Sequence, residues 1–550
     1  MIRDDIAGLV RRAVEKAQDA GTLPKAAIPD VSVEEPANPN HGDYASNLPM
    51  RLARAMGMNP IAIGERILAQ VEPGHFVAKV DLAPPGFLNF VLGDSWLCQQ
   101  VEAIIDAGPT FGSVDLGRGQ RIQVEFGSAN PTGPLTVAFG RGGALGDALA
   151  NLLAKAGYSA SREYYVNDAG TRMQAFYETA FARYQQAFAI NAEIPAEGYH
   201  GAYMIDLGTQ LAAEYGDRFL RMPKEEALPT LGKIALHGMV AAAKSDLDIM
   251  GVKYDVWFYE QSLFDRGLVN EVLGMLDRKG YIDRREGAVW FASSALGEDK
   301  DNVLVRSNGI PTYFASDIAY HYDKMVLRCF DRVIDIWGAD HQGHVPRMHA
   351  GMTALDIAPA RLTIIIHQMI TLRRGKEIVR MSKRTGDLIT LREVLDEVGP
   401  DACRFFFLAR SADSQMDFDL ELAKEQSEKN PVYYVQYAHA RIASILEYAG
   451  EVDLAGADVC LLRSDPELAL IRKMLRYPEL VETAAKRLEP HVFPYYAQDL
   501  ATVFHSFYKQ CRVVSDDVEL TKARLKLVQA AKLVLANVLG LMGVSTPDKM

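Results

Sequence analysis

A glycine-rich turn stands between a predicted strand at residues 121–126 and a predicted helix with Leu145, Leu149 and Leu152 on one face. Such a turn leaves backbone N–H groups unpaired at the positive end of a helix dipole, where a phosphate can bind. Residues 140–146 do not satisfy GxGxxG, because Leu145 stands at the position of the third glycine, and they do not satisfy GxxxxGK[ST]. A dinucleotide-binding fold and a P-loop nucleotidase are therefore disfavoured. Close packing of helix on strand explains the glycines alone equally well.

The second feature that could take part in catalysis is a group of six cationic residues around a serine and a glycine, at residues 373–386. A loop of this composition can fold over a polyphosphate, because lysine and arginine stabilise the charge that develops on a leaving group. A solvated basic loop explains the same residues without a ligand, and charge alone favours that interpretation. The order of the two features along the chain decides between them.

That order resembles the paired ATP signatures, called HIGH and KMSKS, of the class I aminoacyl-tRNA synthetases. The second signature reads RMSKR at residues 380–384. Longer flanking segments narrow the resemblance to the arginyl-tRNA synthetase family: SANPTGPL at 128–135, EYYVNDAG at 163–170 and NPVYYVQYAHAR at 430–441. The shorter segments HGDYA and PGFLNF near the N-terminus are also similar to that family. The resemblance therefore runs from end to end.

The resemblance implies an enzyme that joins arginine to ATP as arginyl-adenylate, releases pyrophosphate, and transfers arginine to the 3′-terminal adenosine of tRNA(Arg). In such an in-line attack on the α-phosphate the protein contributes positioning and charge stabilisation. The expected substrates and partners are ATP with Mg2+, L-arginine and tRNA(Arg), with no tightly bound cofactor. A cytoplasmic monomer that binds no membrane is expected.

The family's functional positions carry over to this chain in four groups. The catalytic candidates are Thr136, Arg380, Ser382 and Lys383. The ATP-binding candidates are Asn130, Pro131, Thr132, Gly133, Pro134, Thr136, Phe139, Gly140, Arg141, Met381, Ser382 and Lys383. The candidates for binding arginine are Asn130, Tyr313, Asp317 and His344. The candidates for binding tRNA are Asn89, Phe90, Tyr433, Tyr437, His439 and Arg441.

Several of these residues have simpler explanations when the family is set aside. Asp317 suits a guanidinium, whose five N–H donors need an anion, but an aspartate at a helix start is more often a cap. The aromatic residues within 433–441 offer stacking faces to unpaired bases, but they also read as a core stripe. His341 and His344 are spaced i, i+3 without a third ligand, so no metal site is predicted.

The chain departs from the family at the first ATP signature. The family has two histidines and a glycine where this chain reads Thr136-Val137-Ala138-Phe139. Thr136 can donate one hydrogen bond, whereas Phe139 can donate none. Removing one preorganised donor to a developing charge typically costs about 100- to 1000-fold in rate. In the second signature Arg380 replaces a lysine, which keeps the charge but changes its shape.

Two hypotheses follow from this departure. In the first, the chain is a working ligase in which the helix dipole, Thr136, Arg141 and the basic loop take over from the histidines. In the second, it is a catalytically impaired relative that binds tRNA or another RNA without efficient adenylation. Retention of Asn130, Asp317 and Lys383 favours the first hypothesis.

The chain length predicts a multidomain protein, because 550 residues are too many to fold around a single hydrophobic core. The predicted domains position the motifs as follows. Residues 1–105 are predicted to form an α+β N-terminal domain that contacts tRNA. Residues 118–395 are predicted to form a Rossmann-like α/β catalytic domain with a parallel sheet and a helical insertion at 171–250. Residues 396–429 read as a connecting helical segment, and residues 430–550 as an all-helical anticodon-binding domain.

The amino-acid composition disfavours several classes of protein. With 49% hydrophobic and 24% charged residues the chain is predicted to be folded rather than disordered. Its five cysteines are scattered without a CxxC pair, which fits a reducing cytosol and disfavours a thiolate metal site. A net charge of −12 argues against indiscriminate binding of nucleic acid. The N-terminus reads as an amphipathic helix rather than a signal peptide, and residues 525–544 as an amphipathic helix rather than a membrane span.

Overall fold

The computed structural model of the chain describes residues 1–36, 38–379 and 389–550. Arg380, Met381, Ser382 and Lys383, which the sequence predicts to act in catalysis and ATP binding, lie outside the described residues.

The N-terminal region is a three-stranded antiparallel sheet covered by helices, with strand order β1-β3-β2. Its elements are α1 (Ile2–Asp19), β1 (Tyr44–Ser46), α2 (Leu48–Met56), α3 (Pro60–Leu68), β2 (Val77–Ala83), β3 (Phe87–Leu92) and α4 (Asp94–Ala107). Helix α1 buries Ile6, Val10 and Val14 at a spacing of four residues, which places them on one face. The central strand β3 supplies the fully buried Leu88 and Phe90 to the same core.

The central region is built on a five-stranded parallel sheet with strand order β11-β10-β4-β5-β6. Its elements are β4 (Arg121–Glu125), α5 (Val137–Lys155), β5 (Ser159–Val166), α6 (Thr171–Ala187), α7 (Ala202–Tyr215), α8 (Lys224–Ile249), β6 (Val256–Tyr259), α9 (Gln261–Asp265), α10 (Leu268–Arg278), β7 (Ile282–Arg285), β8 (Ala288–Phe291), β9 (Asn302–Val305), α11 (Tyr313–Tyr322), β10 (Arg332–Gly338), α12 (Val345–Ala354), β11 (Leu362–His367), β12 (Ile370–Arg374), β13 (Glu377–Ile378), α13 (Leu391–Val398), α14 (Pro400–Leu408), β14 (Met416–Asp419) and α15 (Leu420–Lys424). The chain enters at β4 in the middle of the sheet, builds outward to β6, and then returns to build β10 and β11 on the other side. The predicted Rossmann-like parallel sheet is confirmed.

Two additions to the parallel sheet matter for the site. Helices α6, α7 and α8 enclose an apolar cluster of their own, which includes Phe176, Tyr184, Phe219 and Leu231. The antiparallel sheet β7-β8-β9 leads directly into α11.

One secondary-structure prediction is wrong. Residues 396–429 were predicted to be helical, but Met416–Asp419 form β14, which pairs in parallel with β12. The four residues alternate apolar and acidic side chains, and Met416 and Phe418 are the buried ones. A period of two indicates a strand, but a segment of four residues between helices gives too few repeats to distinguish it from a helix turn.

The C-terminal region is all-helical, as predicted. Its helices are α16 (Pro431–Ala449), α17 (Asp465–Leu475), α18 (Tyr477–Arg487), α19 (Val492–Gln510) and α20 (Val518–Met542). Among the described residues α20 is the one helix long and apolar enough to cross a membrane. It buries Val534, Leu535 and Val538 completely in the core of this region, so its hydropathy is explained by packing.

The N-terminal and C-terminal regions contact each other through the HGDYA segment. Asp43 forms an ion pair with Arg472 of α17 at 2.8 Å, and the Tyr44 hydroxyl donates to Glu479 of α18 at 2.9 Å. The Arg476 guanidinium lies 4.1 Å from the centre of the Tyr44 ring. This segment therefore joins two regions of the chain.

A row of buried carboxylates crosses one face of the parallel sheet. Asp335 of β10, Glu125 of β4 and Glu163 of β5 are neighbours in register, and none is more than 5% exposed. Lys324 donates to Asp335 at 2.9 Å and to Glu125. Arg328 makes a bidentate pair with Glu163 at 2.7 and 2.9 Å. Because both cations follow α11 directly, this ionic row fixes α11 on the sheet.

The ionic row perturbs the titration of its own members. Burial raises the pKa of Glu125 to about 7, and Lys324 only partly offsets this effect. Burial also acts on Asp335, but Lys324 and His321 outweigh it and hold the pKa of Asp335 at about 2. Burial opposes the charge on Lys324, yet Asp335 and Glu125 outweigh it and raise the pKa of Lys324. The lysine is therefore the stable counter-charge of the row.

Substitution Lys324→Met is expected to lower the stability of the central region by about 3 to 5 kcal/mol, because it leaves Asp335 and Glu125 as uncompensated buried charges. The measurement is the urea midpoint of tryptophan fluorescence, since three of the four tryptophans lie in the central region. The exposed Lys300→Met serves as the control. An unchanged midpoint for Lys324→Met would contradict the prediction.

Candidate functional site

The strand order reverses between β4 and β10, and the space beyond the carboxyl ends of these two strands is called the crevice. In open parallel sheets ligands bind at this switch point. The crevice is bordered by the segment between β4 and α5, the end of β6, the start of α11 and the turn Ala339–His344 after β10. The sequence-predicted ATP and arginine residues that the structure describes lie on these segments, except Phe139, Gly140 and Arg141, which lie at the start of α5.

The N-terminus of α5 forms one wall of the crevice. Thr136 is its N-cap residue, with extended backbone angles of φ −90° and ψ 163° and without a side-chain cap hydrogen bond. The Leu391 N–H donates to the Leu135 carbonyl at 2.8 Å, and Thr136 pairs with Thr390 as an isolated β-bridge. The segment that follows residues 380–388 therefore lies beside the first ATP signature, as the family resemblance implies.

Phe139 belongs to an aromatic cluster beneath this wall. Its ring centre lies 5.7 Å from that of Tyr164, which stacks on Trp257 at 4.3 Å. A Cβ atom on Gly127 would lie 2.8 Å from the Phe139 ring, so the phenylalanine also depends on a glycine at that position. The side chain that replaces a family histidine is thus an integral part of local packing.

Arg141 is held away from solvent by three backbone carbonyls. Its guanidinium is 1% exposed and donates to the carbonyls of Gln368, Ser411 and Ser414, each at 2.8 Å. The side chain joins α5 to the entry of β12 and to the loop before β14. This placement gives no support to the predicted contact of the Arg141 side chain with ATP. Gly140 likewise faces Leu391, 2.7 Å from a Cβ built on it.

Hydrogen bonds hold the segment 130–134 in place, and Asn130 at its start is exposed to solvent. The Tyr203 hydroxyl of α7 donates to the Thr132 carbonyl at 2.7 Å and lies beside Gly133. Asn167 donates to the Ser128 carbonyl at 2.7 Å. Pro131 and Thr132 are buried, whereas Asn130 is exposed. Asn130 is therefore available to a ligand in the crevice.

The first turn of α11 places the predicted arginine-binding residues together. Tyr313 is 50% exposed, and the Asp317 carboxylate accepts a hydrogen bond from His344 Nε2 at 2.7 Å. Three of the four residues predicted from the sequence to bind arginine thus share one wall of the crevice.

Sequence reasoning missed two groups at the same wall, Glu260 and Tyr165. Glu260 follows β6 directly, is 3% exposed, and accepts from the Ser316 hydroxyl at 2.8 Å through Oε1. Its Oε2 atom and the Tyr165 hydroxyl are buried without a hydrogen-bond partner among the described residues. Burial raises the pKa of Glu260 to about 7, Asp317 raises it further, and the Ser316 hydrogen bond opposes the shift. Its position after a predicted strand was the available signal.

A buried carboxylate oxygen without a partner is costly unless a ligand satisfies it. Glu260 and Asp317 together provide two acceptors at the end of one wall. A guanidinium, with its planar set of donors and its positive charge, satisfies both.

Three of the six residues predicted to bind tRNA have buried side chains. Phe90 is fully buried and Asn89 is 5% exposed, so both belong to the core of the N-terminal sheet and offer RNA no side-chain surface. His439 is also buried, and its Nδ1 lies 3.0 Å from the Pro547 carbonyl. The prediction of RNA contact is not supported by the placement of these three side chains.

The remaining predicted tRNA residues lie on one face of α16. The Tyr433 and Tyr437 rings are stacked with centres 6.1 Å apart. Arg441 donates to the Tyr437 hydroxyl at 2.6 Å, and its guanidinium lies over the rings of Tyr437 and Tyr508 at 4.6 and 5.1 Å. Tyr437, Arg441 and Tyr508 line an open groove that ends at the C-terminus. These residues have the stacking faces and positive charge that unpaired bases require.

Three family models match the chain in the order of its three regions. A model described as "Arginyl tRNA synthetase N terminal domain" matches residues 4–92. A model described as "tRNA synthetases class I (R), catalytic domain" matches residues 100–406. A model described as "DALR anticodon binding domain" matches residues 435–550.

Relatives are similar over the full length. An arginine–tRNA ligase of Dehalococcoides mccartyi is 52% identical over 100% of this chain and 99% of its own length. An arginine–tRNA ligase of Heliobacterium modesticaldum is 48% identical with the same coverage. A structure titled as a putative arginyl-tRNA synthetase from Campylobacter jejuni is 33% identical, with a TM-score of 0.77 over 84% of this chain and all of that one.

Substitution Glu260→Gln is expected to weaken the binding of L-arginine by about 10- to 100-fold, because it removes a charge-assisted hydrogen bond. A bound cation favours the ionised carboxylate, so wild-type binding should also weaken as the pH falls below about 7, where Glu260 takes up a proton. Glu260→Gln should lose this pH dependence.

Isothermal titration calorimetry with L-arginine at pH 6 and pH 8 measures both effects. Glu271→Gln, an exposed substitution on α10, is the matched control. Equal affinities for wild type and Glu260→Gln at pH 8 would show that Glu260 does not take part in binding L-arginine.

Proposed function

The chain belongs to the arginyl-tRNA synthetase family, and from this premise we propose that it attaches L-arginine to tRNA(Arg) at the expense of ATP. The observation that carries this function is the match of all three family models, in order, together with 52% identity to an arginine–tRNA ligase over the whole chain. The carboxylates of Asp317 and Glu260 beside the switch point support arginine as the amino acid.

The reaction proceeds in two steps. A carboxylate oxygen of arginine attacks the α-phosphorus of ATP, and the bond to pyrophosphate breaks as the bond to the arginine carboxylate forms. A hydroxyl of the terminal tRNA adenosine then attacks the activated carbonyl, and AMP leaves. Both steps depend on the alignment of two substrates more than on covalent chemistry by the protein.

The residues of the crevice divide this alignment between them. Glu260 and Asp317 hold the guanidinium at one end, and the exposed Asn130 contacts the reacting end of arginine. The free N–H groups and positive dipole at the start of α5 face the phosphates, with the Thr136 hydroxyl as an added donor. Mg2+ bound to the phosphates would reduce their charge. Arg380, Ser382 and Lys383 would act on the leaving pyrophosphate.

The regions outside the crevice serve tRNA. Bases of the anticodon stack in the groove of Tyr437, Arg441 and Tyr508, and the N-terminal region contacts the tRNA elsewhere. We propose domain boundaries at 1–105, 118–395, 396–429 and 430–550. The family-model ranges 4–92 and 435–550 fall within the first and last of these, whereas the range 100–406 extends past both ends of 118–395. We further propose a monomer that works in the cytoplasm without a membrane.

The altered first signature defines the alternative, an impaired relative that binds RNA without efficient adenylation. Two observations support the working ligase: the Thr136 side chain makes no cap hydrogen bond in the part of the chain that the structure describes, and the carboxylates of Glu260 and Asp317 are held by Ser316 and His344. Arg141 does not contribute to this support, because its donors are already used.

Purified protein is expected to transfer labelled L-arginine to total tRNA in the presence of ATP and Mg2+, because every substrate has a site on the chain. Omission of ATP is the control. Retention of tRNA on a filter without transfer of arginine would establish the impaired relative instead.

The triple substitution Thr136→His, Ala138→Gly and Phe139→His is expected to raise the rate of arginylation by about tenfold or more, since one preorganised donor is typically worth more than that. The measurement is kcat under saturating substrates, with the melting temperature recorded because Phe139 packs on Tyr164. Phe139→Leu, which restores no donor, is the control. A loss of activity without loss of stability would show that the crevice is rebuilt around its present residues.

A further inference from the structure

We propose that Arg347 is a positioning residue for the proposed arginine pocket: it holds His344 as the tautomer with the proton on Nε2, and so directs an N–H donor to Asp317 Oδ2 and leaves Oδ1 for the substrate. The inference rests on the proposed function for its consequence, but its structural part does not. It concerns a residue that no sequence motif singled out.

Three side chains form a linear relay at the junction of α11 and α12. Arg347 Nε contacts His344 Nδ1, and His344 Nε2 lies 2.7 Å from Asp317 Oδ2. A guanidinium can only donate hydrogen bonds, so His344 Nδ1 must be the acceptor and cannot carry a proton. The single imidazole proton is therefore on Nε2, where it is donated to Asp317.

The surroundings hold the imidazole in this arrangement. Its ring centre lies 5.6 Å from that of Phe314 and 5.4 Å from that of Trp337, and the side chain is 8% exposed. The Arg347 guanidinium lies 5.4 Å from the centre of the Phe314 ring. Burial lowers the pKa of Arg347, while Asp317 and Glu298 act in the opposite direction. The guanidinium keeps its charge, because arginine does not lose its proton in proteins.

A second proton on His344 would bring an imidazolium N–H against the guanidinium. While the Arg347 N–H donates to Nδ1, that nitrogen has no room for a proton of its own. Without Arg347, the neighbouring Asp317 would instead favour the charged form of His344, because an opposite charge at hydrogen-bond distance stabilises an imidazolium.

The charge state of His344 decides how much of the Asp317 charge a substrate meets. A neutral N–H donor orients the carboxylate and leaves its negative charge uncancelled. The carboxylate is 26% exposed, and no described residue other than His344 donates to its side chain, so Oδ1 is left for a guanidinium. An imidazolium would form an ion pair with Asp317 and compete with the substrate.

Other titratable groups face the relay from each packed element. Glu260 lies at the end of β6, Glu298 follows β8, and Asp340 and His341 lie in the turn before α12. His321 of α11 contacts the Asp317 carbonyl through Nδ1 at 2.7 Å and Asp335 through Nε2. A pH profile must therefore be interpreted as a difference between variants that share all of these groups.

The tautomer is tested first, by 15N NMR of protein labelled only at histidine. His344→Gln identifies the His344 signals among the twelve histidines. We expect one-bond coupling on Nε2 and none on Nδ1 in the wild type at pH 6 to pH 8. In Arg347→Met we expect both nitrogens to be protonated at pH 6. A wild-type proton on Nδ1 would overturn the proposal, and this result does not depend on any enzymatic activity.

The functional consequence is tested by the KM for L-arginine at pH 6 and pH 8. In Arg347→Met the ratio of KM at pH 6 to KM at pH 8 is expected to exceed the wild-type ratio by about tenfold, with little change in kcat at pH 8. Glu260 contributes equally to both ratios. Adding His344→Gln to Arg347→Met should restore the wild-type ratio, because an amide donates to Asp317 but does not titrate in this range.

Two further variants make the result specific. Arg347→Lys keeps a donor beside Nδ1 and should retain the wild-type ratio. Arg332→Met, which removes a half-buried arginine that donates to Thr363, is the control for loss of a cation. A wild-type ratio in Arg347→Met would overturn the positioning role. Absence of arginylation in every variant, with the expected wild-type tautomer, would count against the proposed function and leave the tautomer assignment standing.

Discussion

The ion pairs beneath the parallel sheet are the constraint on which the crevice depends. Asp335, Glu125 and Glu163 lie side by side on adjacent strands, where their charges would repel one another in a medium that solvates them poorly. Lys324 and Arg328 form hydrogen-bonded ion pairs with the row, and both lie in the turn that ends α11. The strands and α11 can therefore combine in few ways, and the helix is fixed in position and rotation.

The arginine pocket is a consequence of that fixed helix. Because the end of α11 is anchored by charge, its first turn projects Tyr313 and Asp317 over the end of β6, where Glu260 is buried with an unsatisfied oxygen. The turn before α12 then supplies His344 to Asp317. Each deep carboxylate accepts from a lysine or an arginine, whereas Glu260 and Asp317 accept from neither residue type among the described residues. This contrast distinguishes the carboxylates that hold the fold together from those that we propose to bind the substrate.

The phosphate side of the crevice is organised by different forces. Helix α5 is joined to β12 and to the loop before β14 through the Arg141 guanidinium, and its first turn is supported by the contact of Phe139 with Tyr164. The changes in the first ATP signature are thus accommodated by packing, with no disruption of the helix start. The phosphate binding that we propose there would depend on backbone N–H groups and the helix dipole more than on side chains.

The sequence by itself determined the family, the order of the three regions and the parallel sheet, and it predicted most of the residues of the proposed arginine site, because these follow from periodicity and from long motifs carried by neighbouring residues. It predicted a helix where Met416–Asp419 form a strand, it did not show that the Arg141 and Phe90 side chains are buried, and it missed Glu260. Only the tertiary structure decided these cases. The partners of Arg141 are backbone carbonyls more than two hundred residues away, which leave no trace in side-chain identity. The fold also decides which carboxylates have a cation beside them. Glu125 accepts a hydrogen bond from Lys324, whereas one oxygen of Glu260 has no partner among the described residues.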